Sequence, residues 1–538
     1  MRSYFSDTFL KFFVYLTMAA LSVMTMSCED EGPTMPDMPS STGNMMSYDL
    51  MSVSDPSISG TATLTELDDG STQLNIDLSG TSSGNMHPSH IHFNTAAEGG
   101  DIAVSLTPVD GSTGMSETII ETLDDGTAIS YEQLLAFDGY INVHFSSSDL
   151  ATLVAQGDIG ENALTGDNKT YTLMEKDVDG IMGTVTFAQR VSGNTLATIM
   201  LEGTPDGGMH PAHIHMNSAA EGGGIAVSFT PVNGTTGMSM THIEMTDDGE
   251  AISYEEILMY DGYVNVHLSA EELSTIVAQG DIGINELTGE SYTYDLGEKD
   301  VAGIMGTVTF AQRVSGNTLA TIMLEGTPDG GMHPAHIHMN SAAEGGGIAV
   351  SFTPVNGTTG MSVTHIEMTD DDMALSYEEI LEYDGYVNVH LSAEELSTIV
   401  AQGDIGANEL TGNATTYSLM EKDVTGAMGT VTFAERKSGF TLATIMLSGT
   451  PMDGMHPTHI HDNTAEEGGP IAVTFNPVDG NTGMSMTTIR EKDGDDAEAI
   501  TYEDIIAYNG YVNVHLSMDD LATLVAQGNI GANAEPVE

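Results

Sequence analysis

The stretch GTVTFAQRVSGNTLATIMLEG, Gly183 to Gly203, alternates Val185, Phe187 and Gln189 with Thr184, Thr186 and Ala188, turns at SGN, and resumes as a second extended run. A period of two on both sides of a Gly-containing turn predicts a β-hairpin. Working outward, AHIHMN (212–217) and GIAVSFTPV (224–232) read as strands separated by the Gly-rich SAAEGG, and THIEM (241–245) and YVNVHL (263–268) as two more. SYEEILMYDG carries Ser253 and Glu256 at capping-box spacing and stops at Gly262, which predicts a short helix. SAEELSTIVAQG repeats the device with Ser269 and Glu272 and stops at Gly280, predicting a second. Many short strands and two short helices imply a mainly β, antiparallel sandwich.

The unit recurs. MHPSHIH begins at Met86, MHPAHIH at Met209 and Met332, and MHPTHIH at Met455, each 123 residues after the last. A further histidine ends INVH or VNVH at His144, His267, His390 and His515, so sixteen of the 18 histidines belong to four equivalent sets. A Tyr-first segment opens each copy, placing repeats at 48–170, 171–293, 294–416 and 417–538. The last has two extra residues near Lys492 to Glu498. Residues 180–239 recur unchanged as 303–362, so the informative recurrence is in the diverged first and fourth copies.

Ahead of the repeats, Arg2 and Lys11 precede an apolar run from Phe12 to Val23, predicting a signal peptide over 1–27 and an exported protein. Cys28 is the only cysteine, which excludes an internal disulfide. Its place after Ser27 resembles the lipobox of bacterial lipoproteins, implying lipidation at Cys28 and contact with the membrane through that anchor alone, and the acidic run Glu29 to Glu31 resembles signals that send some such lipoproteins to the outer membrane and cell surface. Residues 28–47 then read as lipidated cysteine and flexible tether. The formal charge of −67 excludes nucleic acid as a partner. A surface so acidic fits an unidentified protein, matrix or mineral-cation partner. Asp-Asp-Gly at Asp124 and Asp247 is a turn sequence without EF-hand spacing.

On a strand, His213 and His215 share one face while Ile214 faces the core, and Asn265 and His267 share a face of YVNVH. Three imidazoles converging without a fixed fourth ligand suit copper or zinc, one ion per repeat. The candidate ligands are His90, His92 and His144; His213, His215 and His267; His336, His338 and His390; and His459, His461 and His515. His87, His210, His333 and His456 stand behind them. A hydrogen-bonded structural cluster and a partner contact are the alternatives. Met209 offers a soft sulfur or simple packing, and His242 and His365 read as incidental surface residues. No nucleophile, general-base or phosphate-loop arrangement stands out, so a binding protein rather than an enzyme is expected.

HPAHIH, then GGxIAVSxxPV, then GYVNVH and AQGDIG resemble the CHRD (chordin-type) domain, in four tandem copies covering residues 48–538. The resemblance implies an extracellular binding module. The order of GTVTF, hairpin return, HPAHIH and VNVH is also distantly similar to Cu/Zn superoxide dismutase, which implies a Greek-key β-sandwich with His213, His215 and His267 as copper ligands and His210 beside them. The bridging histidine, zinc cluster, cysteine pair and guiding arginine of that family are missing, so dismutation is not expected.

Overall fold

The computed structural model describes residues 38–494 and 497–537. The signal segment and Cys28 lie outside the described residues. Ser41–Ser52 is a strand, so the stretch read as tether includes the opening strand of the first sheet. Two compact units divide the chain: one holds residues up to His90 with Ala103–Leu135 and Val143–Ala155, the other Ile91–Ile102, Ala136–Asn142 and everything from Gln156. In the first unit, strands Ser59–Leu67, Thr72–Ser79 and Met115–Ile120 form one antiparallel ladder. It buries Leu64, Leu74 and Ile76.

In the second unit, the hairpin Met182–Arg190 and Thr195–Glu202 forms as its alternation requires, with Val185 opposite Ile199 and Phe187 opposite Ala197. Those inward residues pack with Tyr171, Leu173, Ile214, Val264 and Val266 in a single core. Strand Leu164–Glu175 pairs along the hairpin and, through Met174 and Glu175, with Ile276–Gly283, joining two halves of one curled ten-stranded sheet. Burial of both inner faces on one core makes each repeat an antiparallel sandwich. The third repeat has the same strand order, and in the fourth Met455–Asp462 runs unbroken and the sheet closes as a barrel. The opening strand starts at Leu164, seven residues ahead of Tyr171.

The first expected helix is present as Tyr254–Leu258, with Ser253 and Glu256 in a reciprocal capping box. The second is not. Residues from Ser269 to Thr275 form turns, and Ile276–Gly283 is a strand paired with Asp261–His267. Its β-branched run buries Val277, Ala278 and Ile282. Gly280 is no helix stop: a Cβ there would lie 2.2 Å from the Thr172 carbonyl oxygen, so glycine is needed for close strand approach.

Buried ion pairs couple successive repeats. Arg190, Arg313 and Arg436 have no more than 1% exposure. Their Nη1 atoms lie 2.7, 2.8 and 2.8 Å from Oδ2 of Asp158, Asp281 and Asp404 in the preceding repeat. The other oxygen of each aspartate accepts the N–H of Ala96, Ala219 or Ala342. His242 and His365 are not surface residues: their side chains are 6% and 5% exposed. The charges of Arg190, Glu98 and Asp138 act on His242, and those of Arg313, Glu221 and Asp261 on His365. At the last junction Thr488 takes that place, and Arg490 pairs with Glu344 and Asp384.

Candidate metal centre

Pairing between Ala212–Met216 and Asp261–His267 sets His213 opposite Asn265 and His215 opposite Tyr263. Ile214, Val264 and Val266 fill the core beneath. Register breaks fall between Ile214 and His215 and between Val266 and His267, so two of the three histidines sit at β-bulges. A bulge bends the strand and re-aims its side chains. Ring centroids of His213 and His215 consequently stand 5.7 Å apart, with His267 at 5.1 Å from His213 and 6.0 Å from His215.

Hydrogen bonds fix which nitrogens are free. His215 donates Nδ1–H to Gly223 O at 3.0 Å, and His267 donates Nδ1–H to Leu273 O at 2.6 Å. Each neutral ring therefore keeps its lone pair on Nε2. Those two Nε2 atoms and His213 Nδ1 are buried with no hydrogen-bond partner among the described residues. Each histidine offers a ligand atom, and the three lie within 4.8 Å of one another. An ion at the centre of such a triangle is at most about 2.8 Å from each corner, so each ring leans in by less than about 1 Å to reach a metal–nitrogen bond of about 2 Å. The three residues could hold a metal ion.

Support for the site comes from the loop the sequence marked only as Gly-rich. Gly223 accepts from His215 and donates its N–H to Tyr263 Oη at 3.2 Å, while Tyr263 stacks on the His215 ring at 5.0 Å. A Cβ at Gly223 would stand 1.9 Å from Met216 O. Asn265 does not complete the centre, because its Oδ1 accepts from Gln279 Nε2 at 2.8 Å. His210 braces the site from behind, its Nδ1 bonding His267 O and Leu268 O. His333 repeats that bracing, and His456 bonds Leu516 O.

The third and fourth repeats reproduce the centre at His336, His338 and His390 and at His459, His461 and His515, again with Nδ1, Nε2 and Nε2 unpartnered. In the first unit His90 Nδ1 lies 3.1 Å from His144 Nε2, and His87 Nδ1 bonds His144 O. In the second, His92 bonds Gly100 O and stacks on Tyr140. Burial, with the His267 and His215 rings adding to it, lowers the pKa of His213 to about 4. Burial likewise lowers His267, against an opposing hydrogen bond to Leu273. The aspartates of the DDG turns have local work: Asp124 and Asp247 accept from the N–H and hydroxyl of Ser105 and Ser228.

Sequence reading missed Tyr263, although it shares the face of Asn265 and His267 at a spacing of two, and it missed the bulges, which leave no signature in alternation. No family model matches the chain, and no curated protein matches it.

Proposed function

We propose that the protein is a repeat binding protein in which repeats 2, 3 and 4 each hold one copper or zinc ion at a three-histidine centre. The observation that carries this is the convergence of three buried imidazole nitrogens with no hydrogen-bond partner among the described residues, two of them Nε2 atoms whose lone pairs are fixed by Nδ1–H donation to Gly223 O and Leu273 O. Such an arrangement is unfavourable unless a cation occupies it, since an unmatched buried acceptor costs about 1–3 kcal/mol. The ion is held and not turned over: the chain has neither the bridging histidine nor the guiding arginine expected of a dismutase. Membership of the CHRD family, anchoring through a lipid on Cys28, and display of the acidic repeats at the cell surface to a protein or matrix partner belong to the same reading. They rest on the sequence motifs.

The test is metal content of the full chain after loading with zinc and desalting. Wild type should retain an ion in each of repeats 2, 3 and 4. Replacing His213 by Gln should remove one, and replacing His242 by Ala should remove none. Equal zinc on wild type and on a chain carrying Gln at His213, His336 and His459 would end the metal reading and leave the histidines as hydrogen-bonding struts.

A further inference from the structure

The junction of repeats 3 and 4 carries a latch that the two before it lack. Arg490 donates Nε–H to Glu344 Oε1 and Nη2–H to Glu344 Oε2 at 2.9 Å each, and Nη2–H also to Asp384 Oδ1 at 2.7 Å. Asn476 crosses the same junction to donate Nδ2–H to Ala343 O at 3.0 Å, and Thr488 Oγ1 lies 2.6 Å from Ser341 Oγ. At the junction of repeats 2 and 3 the positions equivalent to Arg490, Asn476 and Thr488 hold Glu367, Thr353 and His365. At the junction of repeats 1 and 2 they hold Glu244, Thr230 and His242. A carboxylate thus stands at two junctions where the last has a guanidinium.

The two carboxylates that grip Arg490 are preset in the other repeats. Glu344 Oε2 accepts from the Ser341 hydroxyl and Asp384 Oδ1 from Asn408 Nδ2–H. Glu221 and Asp261 are held the same way by Ser218 and Asn285, and Glu98 and Asp138 by Thr95 and Asn162. The charges of Glu221, Asp261 and Glu367 all act on His365, and those of Glu98, Asp138 and Glu244 on His242. Three like charges gathered about one ring repel each other. Glu244 and Glu367 keep side-chain exposures of 53% and 50%, so ions of the medium reach them and screen that repulsion. Beside Glu367's junction lies a groove of about 940 Å³, lined by Ala219 and Ala220 of repeat 2 and by Thr353 and Pro354 of repeat 3. Asn476 spans the equivalent place at the last junction.

We propose that the first two junctions are cation-gated joints, slack while Glu244 and Glu367 repel the carboxylate pair of the preceding repeat and drawn shut when cations neutralise that repulsion, whereas Arg490 keeps the last junction shut in any medium. The buried Arg190–Asp158 and Arg313–Asp281 pairs serve as the pivots.

The experiment follows the full chain, free of zinc and copper, in low-salt buffer at neutral pH while calcium chloride is added. Calcium should raise the melting temperature and shrink the radius of gyration measured by small-angle scattering. A variant carrying Glu244→Arg and Glu367→Arg should melt about 2–4 °C higher than wild type without calcium, and calcium should then change neither quantity by more than half as much. Its circular dichroism spectrum should match wild type. The charge-matched variant Glu202→Arg with Glu325→Arg, at the far ends of their strands, should keep the full calcium response. Arg490→Glu gives the last junction the charges of the other two, so it should lower the low-salt melting temperature and enlarge the calcium shift. Equal calcium responses in wild type and the Glu244→Arg, Glu367→Arg variant would assign the effect to the acidic surface at large and overturn the proposal. A radius of gyration that ignores calcium, or an Arg490→Glu chain that responds as wild type does, would overturn it too.

Discussion

His213 is held neutral by its surroundings, and that has a pH signature. Burial first, and then the neighbouring His267 and His215 rings, bring its pKa down to about 4, with Asp247 opposing them. In the unfolded chain the same imidazole takes up its proton near pH 6.5. Folding thus disfavours protonation: the stability linked to this group is fully present above pH 6.5 and is lost as pH falls toward 4. His336 and His459 repeat the behaviour. The metal-free full chain should therefore show a melting temperature that drops between pH 6.5 and 4, and Gln at all three positions should flatten that drop. An unchanged slope in the triple variant would assign the acid sensitivity elsewhere. The same burial moves proton competition for a bound ion well below the ordinary histidine range. The residue pattern made these imidazoles legible because strand periodicity alone puts two on one face. Their neutrality was not legible, since it depends on what the opposite strand and the Gly223 loop place around them.

At the scale of elements, alternation was a sufficient guide wherever one face of a strand meets the core, as in Met182–Arg190 with Val185 and Phe187 inward. It failed where a capping signal stood next to a strand. Ser269 and Glu272 have the spacing of a helix start, but Thr275-Ile276-Val277-Ala278 follows two residues later, and burying Val277 and Ala278 beside Asp261–His267 outweighs a local cap worth about 1 kcal/mol. The Tyr-first period also set each boundary inside a strand. Leu164 pairs with Arg190, Asn168 with Ala188 and Lys169 with Phe187, all ahead of Tyr171. A fragment of residues 163–286 should accordingly unfold cooperatively at a higher temperature than one of 171–293, which lacks those rungs and carries part of the next repeat's opening strand. Calorimetry on the two fragments compares them directly, and equal transitions would show that the upstream rungs contribute nothing.

Over the whole molecule, the coupling of repeats has a direction. An arginine reaches back to the aspartate of the preceding repeat three times, at Arg190, Arg313 and Arg436. The equivalent positions at the two ends are Leu67 and Asn529. Asn529 keeps the local duty of the aspartate, accepting the Ala465 N–H at 2.8 Å through Oδ1, and lacks the charge for an arginine. Leu67 is buried where the arginine side chain would otherwise stand. These substitutions separate two jobs that Asp281 performs with two oxygens, one within its repeat and one across the junction. Asp281→Asn should preserve the first and abolish the second, leaving the Arg313 guanidinium buried without its counter-ion, at a cost of about 3–5 kcal/mol. In the full chain that variant should split or lower the calorimetric transition of repeats 2 and 3 while leaving zinc content unchanged. Adding Arg313→Leu recreates the Leu67 and Asn529 pair of the ends, removes the stranded charge and should restore most of the lost stability. If Asp281→Asn alone melts as wild type does, the buried pair is incidental to the junction. If the double variant is no better than the single, the loss comes from the aspartate's own repeat and not from the coupling.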